Sequence, residues 1–326
     1  MLTIAAASLL GGLGMQQSQR RLNPVIEVLA QKKPVFGLYA PSNRRGGRGA
    51  PPPADAPPPK TPAQLAQEAT GDTTADYIFD GTMEGDFDRG YTGFVEFVKG
   101  MAAVGPVEKT PSARLHHPLI VKTHEIAPDP ALARERIGKQ LNLGVSGVVF
   151  VGVESADEVK TGLAAMRFKS KGGTRSDDVG GAPAYWGMTE AQYKEKADVW
   201  PLNPKGELIN FTIVESKEGL KHVREIAAVK GIGVLFPGAG TLRGVFTDTT
   251  GGQRKFDADA WEAAIQQVLA ACKEFNVPCG YPATATDIET RMKQGFSVFV
   301  INWGDQGFKA VELGRAAGGR TPGDNK

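Results

Sequence analysis

Six carboxylates stand at or just beyond the ends of short apolar runs. Asp80 and Glu84 follow DYIF, Glu125 follows PLIVKTH, Glu154 follows GVVFVGV, Glu215 closes ELINFTIVE, and Asp305 follows FSVFVINW. Carboxylate oxygens suit hard divalent ions such as Mg²⁺ or Mn²⁺. Glu215 is the best single candidate for a metal ligand, because it closes an otherwise apolar run, and Glu154 is a second. Lys122 ends the run PLIVK and carries the charge to pair with a substrate carboxylate or to stabilise an enolate. A structural ion pair with Glu215 is the competing reading. His124 is the histidine nearest such an end and has the chemistry of a general base. His116 and His117 precede the same run, and His222 lies in the helical stretch SKEGLKHVREI. The turn Gly238-Ala239-Gly240 offers backbone N–H groups to a carboxylate or phosphate oxygen.

These groups can act together only if the chain brings the run ends to one place. The 326 residues are 41% hydrophobic and 23% charged, as in an ordinary globular chain. Apolar runs alternate with amphipathic stretches along the sequence. Strands are expected at 34–40, 76–81, 118–124, 147–153, 207–215, 231–238, 277–283 and 296–303. Helices are expected at 62–69, 91–104, 129–144, 155–168, 216–229, 257–276, 284–295 and 304–317. Continuous apolar strands read as buried and parallel. Eight such units in about 290 residues are the count and length of an α/β fold of the TIM (β/α)8 barrel type, whose chemistry sits at the C-terminal strand ends. A doubly wound sheet is the alternative, but no Gly-x-Gly-x-x-Gly sits at a strand-to-helix turn. Within a barrel, Glu154 and Asp305 have plain ion pairing as a competing role.

Other features bound the function. The net charge of +2 gives no field that would draw nucleic acid, and no run reaches the length of a membrane span. Residues 2–14 are apolar and small and are followed by QQSQRR. That pattern resembles a secretory signal without its basic start, so 1–20 is expected to be a signal remnant, slightly favouring export, and 21–326 a single barrel. Residues 43–62 hold seven of the 22 prolines and are expected to be a loop insertion, either a lid or a tolerated surface segment. The two cysteines, Cys272 and Cys279, form no zinc motif. They are a disulfide in an exported protein or two separate thiols.

Five stretches in order resemble the HpcH/HpaI family of class II 2-oxo acid aldolases: DYIFDGTM, PLIVKT, GGTRSDDVGGAPAYWG, FTIVESK and GIGVLFPGAGTL. The resemblance runs over roughly 33–317. It implies a barrel of the phosphoenolpyruvate/pyruvate-binding type. It also implies a divalent metal (Mg²⁺, Mn²⁺ or Co²⁺), a small 2-oxo acid or aldehyde substrate, no Schiff-base lysine, and a homo-oligomer that exchanges its last helix. By position, Glu215 matches the family's glutamate ligand, while Thr241 stands where an aspartate ligand is expected. Lys122 stands where an arginine is expected, and loses the bidentate fork. Asp80 and Gly81 match, but Met83 stands where the catalytic histidine is expected, leaving His124, Asp80 or Glu84 to move the proton. Arg175 and Trp186, in the glycine-rich loop, are expected to line the substrate. The implied activity is a carbon–carbon lyase working through a metal-stabilised enolate. The alternatives are an exported small-acid-binding barrel without catalysis, and a related lyase acting on coenzyme A esters.

Overall fold

A computed structural model describes residues 20–43, 58–109 and 112–321. The signal-like segment, apart from Arg20, and most of the proline-rich insertion lie outside the described residues. The barrel strands are β1 (Val35–Tyr39), β2 (Tyr77–Asp80), β3 (Leu119–Lys122), β4 (Gly147–Phe150), β5 (Leu208–Val214), β6 (Val234–Pro237), β7 (Gly280–Pro282) and β8 (Val298–Ile301). They pair parallel in the order β7–β8–β1–β2–β3–β4–β5–β6. A parallel bridge between Leu235 and Cys279 joins β6 back towards β7 and curls the sheet around. A short strand, Val199–Trp200, pairs with the beginning of β5.

Two cores follow from the two-residue alternation of strands. Val35, Tyr77, Phe79, Ile120, Val149, Ile209, Phe211, Ile213, Val234, Phe236, Val298 and Val300 form one cluster inside the sheet. Their sequence neighbours, such as Phe36, Ile78, Val121, Val148 and Phe299, pack under the helices in another. Gly37 makes room for this interior: a Cβ there would lie 2.1 Å from the Tyr77 ring. The N-terminal mouth is filled by a helix absent from the sequence reading, Pro24–Ala30, whose Val25, Ile26, Val28 and Leu29 join the interior cluster. The opposite mouth remains for chemistry.

The helices that follow β2, β3, β4 and β5 start at side-chain caps: Asp86, Asp129, Ser155 and Ser216 each accept a backbone N–H of the first turn. Such caps satisfy donors that a helix start leaves open. The helix expected over 216–229 breaks at His222 into Lys217–Lys221 and Val223–Ala227. Cys272 and Cys279 are joined by a disulfide across the turn that leads into β7. Among the described residues no helix is long and apolar enough to cross a membrane.

Candidate active site

Parallel pairing puts the C-terminal ends of all eight strands at one rim. Lys122 and Glu215 follow Ile120 and Ile213 by two residues, so alternation turns them towards the interior. Tyr39, the last residue of β1, already packs against the interior cluster.

Glu84 organises this rim. Its carboxylate accepts a bond from Lys122 Nζ at 2.8 Å, and its backbone carbonyl lies 2.8 Å from His124 Nδ1. A carbonyl only accepts, so Nδ1 carries the hydrogen and Nε2 of the neutral ring keeps its lone pair. The ion pair that Lys122 makes is with Glu84, where the competing reading had placed one with Glu215. Met83, which precedes Glu84, is fully buried, and its sulfur lies 3.4 Å from Gln140 Nε2. At this turn it is Glu84 that faces Lys122 and His124. Asp80 is buried and accepts from Thr82 N at 2.9 Å and Thr82 Oγ1 at 2.5 Å, which folds the turn that delivers Glu84.

Glu215 is held from two sides. Gly152, in the left-handed region at φ +58°, donates its N–H to Glu215 Oε1 at 3.0 Å. Gly238 leaves space for the rest of the carboxylate, because a Cβ there would lie 2.5 Å from Oε2. The Gly238 N–H is already bonded to the Val214 carbonyl at 2.9 Å, and the Ala239 carbonyl receives Trp261 Nε1 at 2.8 Å. The helix Ala239–Val245 has no side-chain cap, so the N–H groups of Ala239 and Gly240 remain the donors of this turn.

The predicted metal set does not assemble. Glu154 is exposed and accepts from Ser216 Oγ at 2.6 Å on the outer rim, and Thr241 is exposed on the short helix. Among the described residues no group of three or more acidic, histidine or cysteine side chains is placed to hold a metal. A hard divalent ion can instead take one or two protein carboxylates and complete its shell with water and substrate oxygens. Glu215 fits as a single protein anchor of that kind.

Arg175 and Trp186 are elsewhere. Trp186 Nε1 donates to the Gly144 carbonyl at 2.8 Å, and Arg175 Nη2 lies 3.0 Å from Asn142 Oδ1. Asn142 and Gly144 belong to the turn that enters β4, at the N-terminal face. The Arg175 guanidinium also lies over the Phe168 ring, 4.5 Å from its centre. Both residues pack the loop at the wrong end for substrate, because the helix Ala156–Met166 has carried the chain back down before the loop begins.

Tyr39 lies in the run expected to be a strand over 34–40, and the sequence reading gave it no role. Its signal was the inward register of β1. Burial raises its phenol pKa above the usual tyrosine value. Lys122 opposes that shift, and Glu84, Asp80 and Glu215 add to it.

The comparisons with known proteins bear on the family and the fold. The family model described as HpcH/HpaI aldolase/citrate lyase matches residues 121–310. No curated protein matches the chain at a significant level. Among solved structures, an HpcH/HpaI aldolase/citrate lyase family protein from Burkholderia cenocepacia J2315 is 20% identical with a TM-score of 0.61, covering 90% of this chain and 96% of its own. Macrophomate synthase is 15% identical with a TM-score of 0.58, covering 91% of this chain and 88% of its own. The citrate synthase SbnG is 17% identical with a TM-score of 0.57, covering 90% and 95%. At these identities the likeness is one of fold.

Proposed function

Because this chain belongs to the HpcH/HpaI aldolase/citrate lyase family, we propose that it is a carbon–carbon lyase acting on a small 2-oxo acid or a related carbonyl compound. The observation that carries the proposal is the joint hold of Glu84 on Lys122 and His124, which places a cation and an oriented base side by side. In a 4-hydroxy-2-oxo acid, Nε2 of His124 takes the hydroxyl proton. The carbon–carbon bond then breaks to an aldehyde, and its electron pair moves onto the 2-oxo group as an enolate. Lys122 balances the new negative charge, and the proton held on His124 returns to the enolate carbon. Glu84 is a positioning residue for both groups.

Glu215 is the residue at which we place a divalent ion. Such an ion, when bound, polarises the carbonyl oxygen of the substrate. The N–H groups of Ala239 and Gly240 are assigned to the substrate carboxylate. The neighbours named citrate synthase and macrophomate synthase support carbon–carbon chemistry on small acids as the general class.

The test is proton exchange on pyruvate in D₂O, followed by NMR, with Mg²⁺, Mn²⁺ or Co²⁺ added in turn. Loss of the methyl signal is the expected result, together with its abolition in Glu215→Ala. An undiminished rate in Glu215→Ala overturns the role of that residue. Thermal stabilisation by small acids without any exchange would favour a barrel that only binds them.

A further inference from the structure

We propose that Tyr39 is a catalytic hydrogen-bond donor of this site, its phenol O–H donating to the substrate oxygen that becomes negative when the enolate forms. The inference rests on the lyase reading above and adds a residue to it. Three observations carry it.

The first is position. Tyr39 pairs in register with Phe79, and its ring stands edge-on to that of Phe79 at 4.9 Å. On its other side is Gly81. A Cβ built there would lie 3.7 Å from Tyr39 Cε1 and 3.6 Å from Lys122 Cδ. The tyrosine ring and the lysine stem thus flank one glycine, with no side chain from that residue between them.

The second is the state of the hydroxyl. Buried tyrosines usually find a partner. Tyr77 donates to the Phe299 carbonyl at 2.7 Å and Tyr193 donates to the Leu141 carbonyl at 3.2 Å, whereas the buried Tyr185 hydroxyl, at the far end of the barrel, has no partner among the described residues. Tyr39 is partly buried, and its hydroxyl makes no hydrogen bond to the described residues. A substrate oxygen at the rim would complete it.

The third is charge. A tyrosine phenol ordinarily titrates at about pH 10, so the neutral form is the one present at neutral pH. A neutral phenol donates a hydrogen bond and does not act as a base. The site needs such a donor, because the Lys122 charge is already shared with Glu84. No bond to Tyr39 forms or breaks. As the carbon–carbon bond opens, its electron pair moves onto the carbonyl oxygen, and the phenol proton stays on its own oxygen while it bonds to that oxyanion.

The test compares the full-length protein with Tyr39→Phe, which keeps the ring against Phe79 and removes only the hydroxyl. Two probes are used: proton exchange on pyruvate, and binding of oxalate, a planar dianion shaped like the pyruvate enolate. The exchange rate at saturating pyruvate is expected to fall about 100-fold with little change in KM, as for loss of one oxyanion donor. Oxalate binding is expected to weaken about tenfold, a loss of about 1.4 kcal/mol. Thermal stability should be retained. Equal exchange and equal oxalate affinity in both proteins would overturn the inference and leave the lyase reading standing. A wild-type protein that neither exchanges protons nor binds oxalate would overturn both.

Discussion

At the scale of single residues, Glu84 meets two candidate groups with two different acceptors: its carboxylate bonds Lys122 and its backbone carbonyl bonds His124. This predicts that His124 acts through its free Nε2. His124→Gln keeps a hydrogen-bonding group of similar reach but removes the basic ring nitrogen. Its turnover is expected to fall about 10²–10⁴-fold with KM little changed, the range for loss of a general base. Steady-state kinetics on the substrate identified by proton exchange would check this. Full activity in the variant would move the proton transfer to Asp80, whose carboxylate already carries two bonds from Thr82.

At the scale of elements, what matters is how strand ends become turns. Glu215 lies one residue past β5 and depends on two neighbouring turns, one supplying the Gly152 N–H and one leaving space at Gly238. Gly238→Ala puts a methyl 2.4 Å from Glu215 Cβ, so the carboxylate must move. Activity is expected to drop about 100-fold, as for a misplacement near the reacting centre. The stability cost should be about 1–3 kcal/mol, the usual overpacking penalty. Gly244→Ala, on the same short helix but with open space at its Cβ, serves as control and should leave both unchanged. A Gly238→Ala enzyme as active as wild type would show that Glu215 need not hold this position.

At the scale of the molecule, the N-terminal face is built for stability. The helix Pro24–Ala30 fills the mouth, and Asp76 ties the beginning of β2 to the chain end. The Asp76 carboxylate meets Arg315 at 2.8 Å and Arg320 at 2.6 Å, with all three side chains buried, and it also accepts the Phe36 N–H. Asp76→Ala removes the carboxylate that both buried guanidinium groups meet. Removing one member of a buried ionic group costs about 3–5 kcal/mol. Thermal unfolding is expected about 10 °C lower in a chain of this size. A melting temperature within about 2 °C of wild type would mean that the arginines find other partners or water.

Much of the fold was legible before any coordinates. Eight apolar runs separated by helical periods determined the barrel, because a strand buried on both faces must be apolar along its whole length and each parallel crossover needs a helix. The same runs determined which ends could carry chemistry, and Lys122, His124, Glu84, Asp80 and Glu215 do meet at one rim. Tertiary structure decided the partners within that rim. Lys122 pairs with Glu84 and not with Glu215, Met83 turns into the core, and Glu154 faces outward, because a turn of a few residues can aim neighbouring side chains in opposite directions. It also decided that Arg175 and Trp186 lie at the far end, since chain direction reverses along a helix and sequence distance carries no record of that reversal. The plug at Pro24–Ala30 was invisible for a related reason. Seven residues carry too little periodicity to announce a helix, and only the open barrel mouth above them supplies an apolar surface to cover.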